Sequence, residues 1–334
     1  MKAVVLKEPG LAAVESVAEL APIDREVTLK VRMVGLCGSD LNSFRGKNPM
    51  VSFPRILGHE VAGTVVDGAG QFAPGTNVTL SPYTSCGTCP SCLRDRPNAC
   101  QFNQTLGVQR DGAMTEFIST PASKVFTAKL SLKELCLVEP LTVGFHAAAR
   151  GRVAPEDVVA IIGCGGVGLG AVAGAAQRGA TVIGIDVDDE KLRIATAAGA
   201  THSINTAREN LHDRLLELTA GRGPDVIIEA IGLPQTFRAA VEEVAFTGRV
   251  VYIGYAKEPV AYETRLFVQK ELDILGSRNA LPEDFQAVIA MLEAGRFPVD
   301  DAISSIIPIA EVPEALSAWS AEPAKVKKII VTFD

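Results

Sequence analysis

Apolar and polar residues alternate in short stretches through the first third of the chain, as in Glu26-Val27-Thr28-Leu29-Lys30-Val31 and Asn77-Val78-Thr79-Leu80, with Gly and Pro interrupting them. A period of two broken by turn residues predicts antiparallel strands with one buried face. Beyond about residue 153 the pattern changes to continuous apolar runs, at 158–162 and 181–185, separated by Ala-rich stretches such as 170–178. Strand and helix in alternation predict a parallel, doubly wound sheet, with further strands at 226–228, 249–253 and 272–275. A helix is expected around 285–293. The last apolar run, 328–333, has to pair outside that sheet and is assigned back to the β-rich part. The chain therefore reads as α/β with two domains, a β-rich one formed by residues 1–147 and 282–334 and a nucleotide-binding one over 148–281.

One turn in the second region carries chemistry. Gly163-Cys164-Gly165-Gly166-Val167-Gly168 fits G-x-G-x-x-G between a predicted buried strand and a predicted helix. Glycines there let the turn close and the backbone approach a pyrophosphate, whose charge faces the helix N-terminus; at Gly168 the small residue permits close packing of strand and helix. Asp186 ends the following strand, where a carboxylate accepts hydrogen bonds from ribose hydroxyls and repels a 2′-phosphate, so NAD is expected in preference to NADP. Lys191 is placed beside the adenosine ribose, and Val167 and Ile253 near the nicotinamide. The bland alternative, a glycine-rich turn followed by a solvated acid, leaves the full strand, turn, helix, strand and Asp context unexplained.

With 334 residues, 47% of them hydrophobic, the chain is long enough to build two cores. A formal net charge of −7 and scattered Lys and Arg argue against a nucleic-acid surface, and no apolar run reaches the length of a membrane span. A small-molecule partner and a cytoplasmic location are expected. The seven cysteines are unevenly placed: Cys86, Cys89, Cys92 and Cys100 fall within fifteen residues, with Gly87 and Pro90 to bend the backbone between them. Four thiolates at that spacing make a closed tetrahedral zinc site with no position for a catalytic water, suited to holding a loop that lacks its own core. An iron–sulfur cluster and a redox relay are the alternatives.

A second set is dispersed: Cys37 in Gly35-Leu36-Cys37-Gly38-Ser39-Asp40, His59 and Glu60 in Gly58-His59-Glu60, and Glu139 in Val138-Glu139-Pro140. A thiolate, an imidazole and carboxylates suit an open, catalytic zinc site, although each alone also reads as a core cysteine, a packed histidine or a solvated acid. Together with the four-cysteine loop and the glycine motif, in this order and spacing, they resemble the zinc-containing medium-chain alcohol dehydrogenases over essentially the whole chain. The acid at 139 resembles the polyol (sorbitol-like) and sugar-acid branch of that family. The resemblance implies a GroES-like catalytic domain around an inserted Rossmann domain, with one catalytic and one structural zinc per chain. It implies that Cys37 and His59 ligate the catalytic zinc, that Glu60 is a ligand or an exchanging one, and that Glu139 stands where other members place a second cysteine. Asp40 is expected to accept the second ring proton of His59, and Ser39 to pass the substrate proton away. The family often carries a His three residues beyond that hydroxyl; here Asn42 occupies the position and cannot titrate, and His146 is either its substitute or a helix-packing residue.

The implied chemistry is oxidation of an alcohol, with zinc lowering the pKa of the substrate hydroxyl and NAD accepting the hydride. Arg45 and Lys47, and Arg278 in Gly276-Ser277-Arg278-Asn279, are candidates for clamping a carboxylate, which makes a sugar acid (an aldonate) oxidised at a secondary carbon the expected substrate. An uncharged polyol or a simple alcohol is the alternative. The rival from another class is a non-catalytic NAD- and zinc-binding regulatory protein on the same scaffold, opposed by the presence of Cys37, Ser39, His59, Glu60 and Glu139 together. A zinc-free reductase of the quinone type is opposed by the cysteine loop. Relatives of this architecture imply a homo-oligomer, tetramer or dimer.

Overall fold

The computed structural model describes residues 1–21, 23–323 and 326–333, which form two compact units. The first comprises Met1–Glu139, Leu281–Ala294 and the described residues from Val299 on; the second comprises Pro140–Ala280 and Gly295–Pro298. The expected boundary at 147 falls inside the helix Leu132–Arg150, which continues from the first unit into the second, so the division comes earlier, after Glu139.

In the first unit the alternating stretch becomes β3 (Glu26–Leu36), whose Val27, Leu29 and Val31 are fully buried while Thr28 and Lys30 point the other way. Around it lie β5 (Glu60–Asp67), β6 (Asn77–Leu80), β7 (Phe117–Pro121), β8 (Val125–Thr127), β15 (Ser305–Pro308) and β16 (Ile329–Thr332). Among the described residues these make a seven-stranded sheet in the order β15-β16-β3-β5-β6-β8, with β7 also on β3. A smaller sheet of β2 (Leu11–Ser16), β1 (Lys2–Glu8) and β4 (Arg55–Ile56) lies in the same unit. The final strand does return to the β-rich part: β16 is antiparallel to β3 and parallel to β15. Its Ile329, Ile330 and Val331 are all buried, as in a strand covered on both faces. Register places Gly35 opposite both Glu60 on β5 and Ile330 on β16, so the ends of three adjacent strands meet at one level. Val4, Leu6, Leu57, Val78, Leu80 and Met114 join the β3 residues in the core. Each fully buried aliphatic side chain of this kind contributes roughly 1.5–3 kcal/mol.

The second unit is the predicted doubly wound sheet. Its strands, β9 (Val158–Ile162), β10 (Thr181–Asp186), β11 (His202–Asn205), β12 (Val226–Glu229), β13 (Arg249–Tyr252) and β14 (Asp273–Gly276), are all parallel in the order β11-β10-β9-β12-β13-β14. The order reverses direction beside β9, and a crevice at the carboxyl ends of strands flanking such a reversal is where open α/β sheets bind ligands. Ile162, Ile183, Ile185, Ile227 and Val250 fill one face of the sheet, and the strands read as apolar runs because helices cover both faces. No helix among the described residues is long and apolar enough to cross a membrane.

Candidate metal centres and cofactor site

The end of β3 leads directly into Cys37, which precedes the helix Gly38–Phe44, and His59 directly precedes β5, whose first residue is Glu60. Pairing of the two strands therefore brings residues more than twenty positions apart into one place, and ligand atoms of Cys37, His59 and Glu60 all lie within 4.8 Å of one another. A half-buried thiol with a buried imidazole and carboxylate at that spacing fits a single zinc ion with bonds of about 2.0–2.3 Å. Gly35 makes room for the acid, since a Cβ there would stand 2.0 Å from Glu60 Oε2.

Glu60 is fully buried, and both of its oxygens accept from the Lys328 ammonium, at 2.6 and 2.7 Å; Lys328 also donates to the carbonyl of Leu36. Burial alone would push the lysine pKa down, but the Glu60 charge outweighs it and holds the ammonium above its ordinary range. Sequence reading missed Lys328, treating it as the first residue of an apolar strand. In the sequence it is the second of two adjacent lysines, Lys327-Lys328, ahead of Ile329-Ile330-Val331, and nothing there singles it out.

Glu139 lies outside the compact triple. Its Oε1 accepts from the Tyr83 hydroxyl, a second residue that the sequence did not single out. Burial raises the Glu139 carboxyl, and burial followed by the Glu139 charge holds the Tyr83 phenol well above its usual value, so the phenol is the donor.

Asp40 departs from expectation. Its Oδ1 is 4.0 Å from His59 Nδ1, too far for the expected hydrogen bond, and His59 Nδ1 has no hydrogen-bond partner among the described residues. Instead Asp40 Oδ2 accepts from the Cys37 backbone N–H at 2.9 Å, closing the first turn of the helix, and Oδ1 faces the Gly58 N–H at 3.4 Å. Its carboxylate thus fixes the backbone beside two of the three ligands and acts on His59 through charge. Burial would push the His59 imidazole down, and the Asp40 charge outweighs it. Ser39 Oγ is buried without a hydrogen-bond partner, open to a substrate or cofactor hydroxyl.

The four-cysteine loop is a second centre in the same unit, with the sulfurs of Cys86, Cys89, Cys92 and Cys100 also within 4.8 Å of one another. Its backbone is already arranged for thiolates: Cys86 Sγ accepts from the Cys89 N–H at 3.3 Å, and Cys100 Sγ accepts from those of Cys86 and Phe102 at 3.3 and 3.4 Å. The Thr88 N–H first, then its hydroxyl, hold the Cys86 thiol below its ordinary pKa, and the Ser91 hydroxyl leads the donors that bring Cys89 down to about 5. The described cysteines form no disulfide.

In the second unit, the glycine turn links β9 to the helix Gly166–Gln177 and opens onto a cavity of about 750 Å³ lined by Gly163, Gly165, Asp186, Lys191, Asn210 and Thr236, among others. Only glycine fits at 168, where a Cβ would lie 1.8 Å from the Gly163 carbonyl oxygen. A Cβ at Gly165 would meet nothing within 4 Å, which leaves the open space a pyrophosphate needs at the helix N-terminus. Asp186 lines the cavity with its carboxylate held by the backbone N–H groups of Cys164, Val187 and Asp188 at 2.9, 2.8 and 3.2 Å. Val167 sits in the first turn of that helix, and Ile253 follows β13 with its N–H on the Glu229 carbonyl. Glu229, also unforeseen, is fully buried, and its Oε1 accepts from Ile231 N, Gly232 N and Thr236 Oγ1, ordering the loop that walls the cavity.

Of the cations expected to bind substrate, Arg45 has a partner within the protein. Its Nε donates to Ser320 Oγ at 3.0 Å and its Nη2 to the Ser320 carbonyl, so the guanidinium ties its loop to the helix Val312–Ala321. Lys47 is exposed on the same loop, Arg278 follows β14 in the second unit, and His146 is buried within the helix Leu132–Arg150.

Comparison with known proteins agrees with these two units. Residues 23–130 match the alcohol dehydrogenase GroES-like domain and residues 166–294 the zinc-binding dehydrogenase domain. Sorbitol dehydrogenase of Bacillus subtilis is 37% identical over 75% of this chain and 74% of its own length, and L-galactonate-5-dehydrogenase of Escherichia coli 30% identical over 93% of each. A solved structure from E. coli CFT073, described as a short chain alcohol dehydrogenase (rspB) complexed with cofactor NADH, superimposes with a TM-score of 0.91 at 28% identity, covering 100% of this chain and 99% of that one. The chain belongs to the zinc-type alcohol dehydrogenase family and is an oxidoreductase of that family.

Two outcomes follow from the geometry. In metal-free protein, Lys328→Met leaves the Glu60 carboxylate buried without its cation and is expected to cost about 3–5 kcal/mol in urea unfolding, part of it restored by zinc; stability equal to wild type would refute the pairing. Gly168→Ala is expected to weaken NADH binding in a fluorescence titration by about tenfold or more, ~1.4 kcal/mol, with both metals retained; an unaltered titration would mean that the turn relaxes around the methyl group.

Proposed function

We propose that this protein is a zinc-dependent, NAD-linked dehydrogenase that oxidises a secondary alcohol of a sugar acid or polyol. The observation that carries the reading is the half-buried thiol of Cys37 gathered with the buried imidazole of His59 and carboxylate of Glu60 within reach of one ion. When bound, zinc supplies a Lewis acid that lowers the pKa of a hydroxyl, and the nicotinamide supplies the hydride acceptor. The chain's own contribution begins with Ser39, whose unpartnered buried hydroxyl receives the proton leaving the substrate. Asn42 has no titrating group to take it further, so water and the ribose hydroxyls of a bound cofactor, or another group, would carry it onward. Asp186 supports NAD over NADP: three backbone N–H groups hold its carboxylate in the cavity wall, where a 2′-phosphate would be repelled.

The substrate class rests on the relatives named for L-galactonate and sorbitol, with Lys47 and Arg278 proposed for the carboxylate alongside Arg45, whose guanidinium is partly committed to Ser320. That same commitment favours a second reading, an uncharged polyol. We further infer a homo-oligomer, tetramer or dimer. β14 is the edge of the six-stranded sheet and leaves Ile274 41% exposed beside a row of backbone groups that a second copy can pair. The absence of disulfides among the described residues supports a reducing, cytoplasmic location.

The test is NAD reduction by zinc-replete protein over a panel of aldonates, polyols and simple alcohols, repeated with NADP and after zinc removal. Turnover of an aldonate or polyol with NAD, lost with the metal, is expected. Binding of both zinc and NADH without turnover of any member of the panel would favour the regulatory reading. With an aldonate, Arg278→Ala is expected to raise KM about tenfold or more with little change in kcat, as for loss of a charged hydrogen bond worth ~1.5–3 kcal/mol; an unchanged KM would remove Arg278 from the site.

A further inference from the structure

The two metal centres of the first unit are joined by one side chain. Tyr83 is buried, 5% exposed, and its hydroxyl donates to Oε1 of Glu139, itself 3% exposed in the pocket that also holds Cys37, His59 and Glu60. The same residue stands three positions before Cys86, the first cysteine of the other centre. The backbone on both sides of it is tied to the segment that follows the last cysteine. Pro82 O accepts from the Leu106 N–H at 3.1 Å, Thr84 N donates to Asn103 Oδ1 at 3.2 Å, and Gln104 N donates to Thr84 Oγ1 at 2.6 Å. Cys86 N in turn donates to Cys100 Sγ. When the four cysteines close on an ion, the two strands of chain that bracket Tyr83 are clamped together, and the phenol is held at a fixed place over Glu139.

We propose that Tyr83 is a positioning residue that fixes the Glu139 carboxylate in the catalytic metal pocket and carries the state of the four-cysteine loop to that pocket. The inference rests on the metal reading given above. Its physical basis is that outer hydrogen-bond partners orient the groups around a metal, and their removal typically lowers metal affinity by about 10–100-fold. Coupling of this kind is reciprocal: a loop that steadies the pocket is itself steadied when the pocket is filled.

The test uses the full-length, zinc-loaded protein, with zinc release to a colorimetric chelator as the readout, alongside thermal melting and zinc stoichiometry. The release phase absent from Cys37→Ser identifies the catalytic ion. Tyr83→Phe, which removes only the hydroxyl, is expected to keep the loop zinc and the wild-type melt while releasing the catalytic ion about tenfold faster. Glu139→Gln is expected to do the same, and the double variant to be no faster than Glu139→Gln alone. Asn103→Ala, which loosens Thr84 without touching a cysteine, is expected to speed release of the catalytic ion in the wild-type background and to have no effect when combined with Tyr83→Phe. Wild-type release from Tyr83→Phe, or multiplying effects of Tyr83→Phe and Glu139→Gln, would overturn the role of Tyr83. Equal effects of Asn103→Ala in both backgrounds would overturn the link to the loop. A wild-type protein that binds zinc at the four cysteines only would overturn the metal reading itself, an outcome distinct from the others.

Discussion

The Glu60–Lys328 pair is the constraint on which the rest of the first unit turns. A carboxylate with no solvent exposure is tolerated only beside a cation, and breaking such a pair costs several kcal/mol because the remaining charge has nowhere to go. The cation here enters on β16, so the sheet has to complete itself at β3 before the pocket is electrostatically balanced. Register then does the rest. Gly35 lies opposite both Glu60 and Ile330, and Lys328 directly precedes β16, so the two strands flanking β3 bring acid and base to the same end of the sheet, with the bare Gly35 leaving space for the acid.

The two metal centres solve the same problem in opposite ways. In the four-cysteine loop the donors are close in sequence, and short backbone N–H contacts stabilise the sulfurs as anions within a segment that has little apolar burial of its own. In the other centre the donors come from separate strands and a helix; a lysine distant in sequence balances Glu60, a phenol donates to Glu139, and Asp40 faces His59. One is a local fold held by its ion; the other is a product of the whole sheet. Asp40 belongs to the second kind: by accepting the Cys37 N–H and facing the Gly58 N–H it fixes the two loops that present the ligands, while keeping the imidazole within reach of its charge.

What was legible in the sequence follows the same distinction. The glycine turn, Asp186, the cysteine loop and the strand–helix alternation are local patterns whose spacing fixes their geometry, and the structure places them accordingly. The return of the last strand was also readable, because an apolar run with no place in the parallel sheet has to pair elsewhere. Lys328 and Tyr83 were not legible. Their meaning depends on partners 268 and 56 positions away, and nothing in the residues on either side marks a lysine as a counter-ion or a tyrosine as a donor. Arg45 illustrates the same limit in reverse: the sequence shows a cation near Cys37, and its bond to Ser320, 275 positions away, is visible only in the fold. The expected bond between Asp40 and His59 failed on distance, since the acid is the right residue in the right turn with its oxygens already drawn to backbone N–H groups.

The discontinuity of the first unit gives the protein an order of assembly. Translation delivers Cys37, His59, Glu60, Tyr83 and Glu139 before the nucleotide-binding unit, whose parallel strands are all made by Gly276, and β16 with Lys328 emerges only afterwards. A nascent chain can therefore complete its dinucleotide cavity while its catalytic pocket still holds uncompensated negative charge. The strand that finishes the sheet is thus also the one that brings the buried acid its counter-charge.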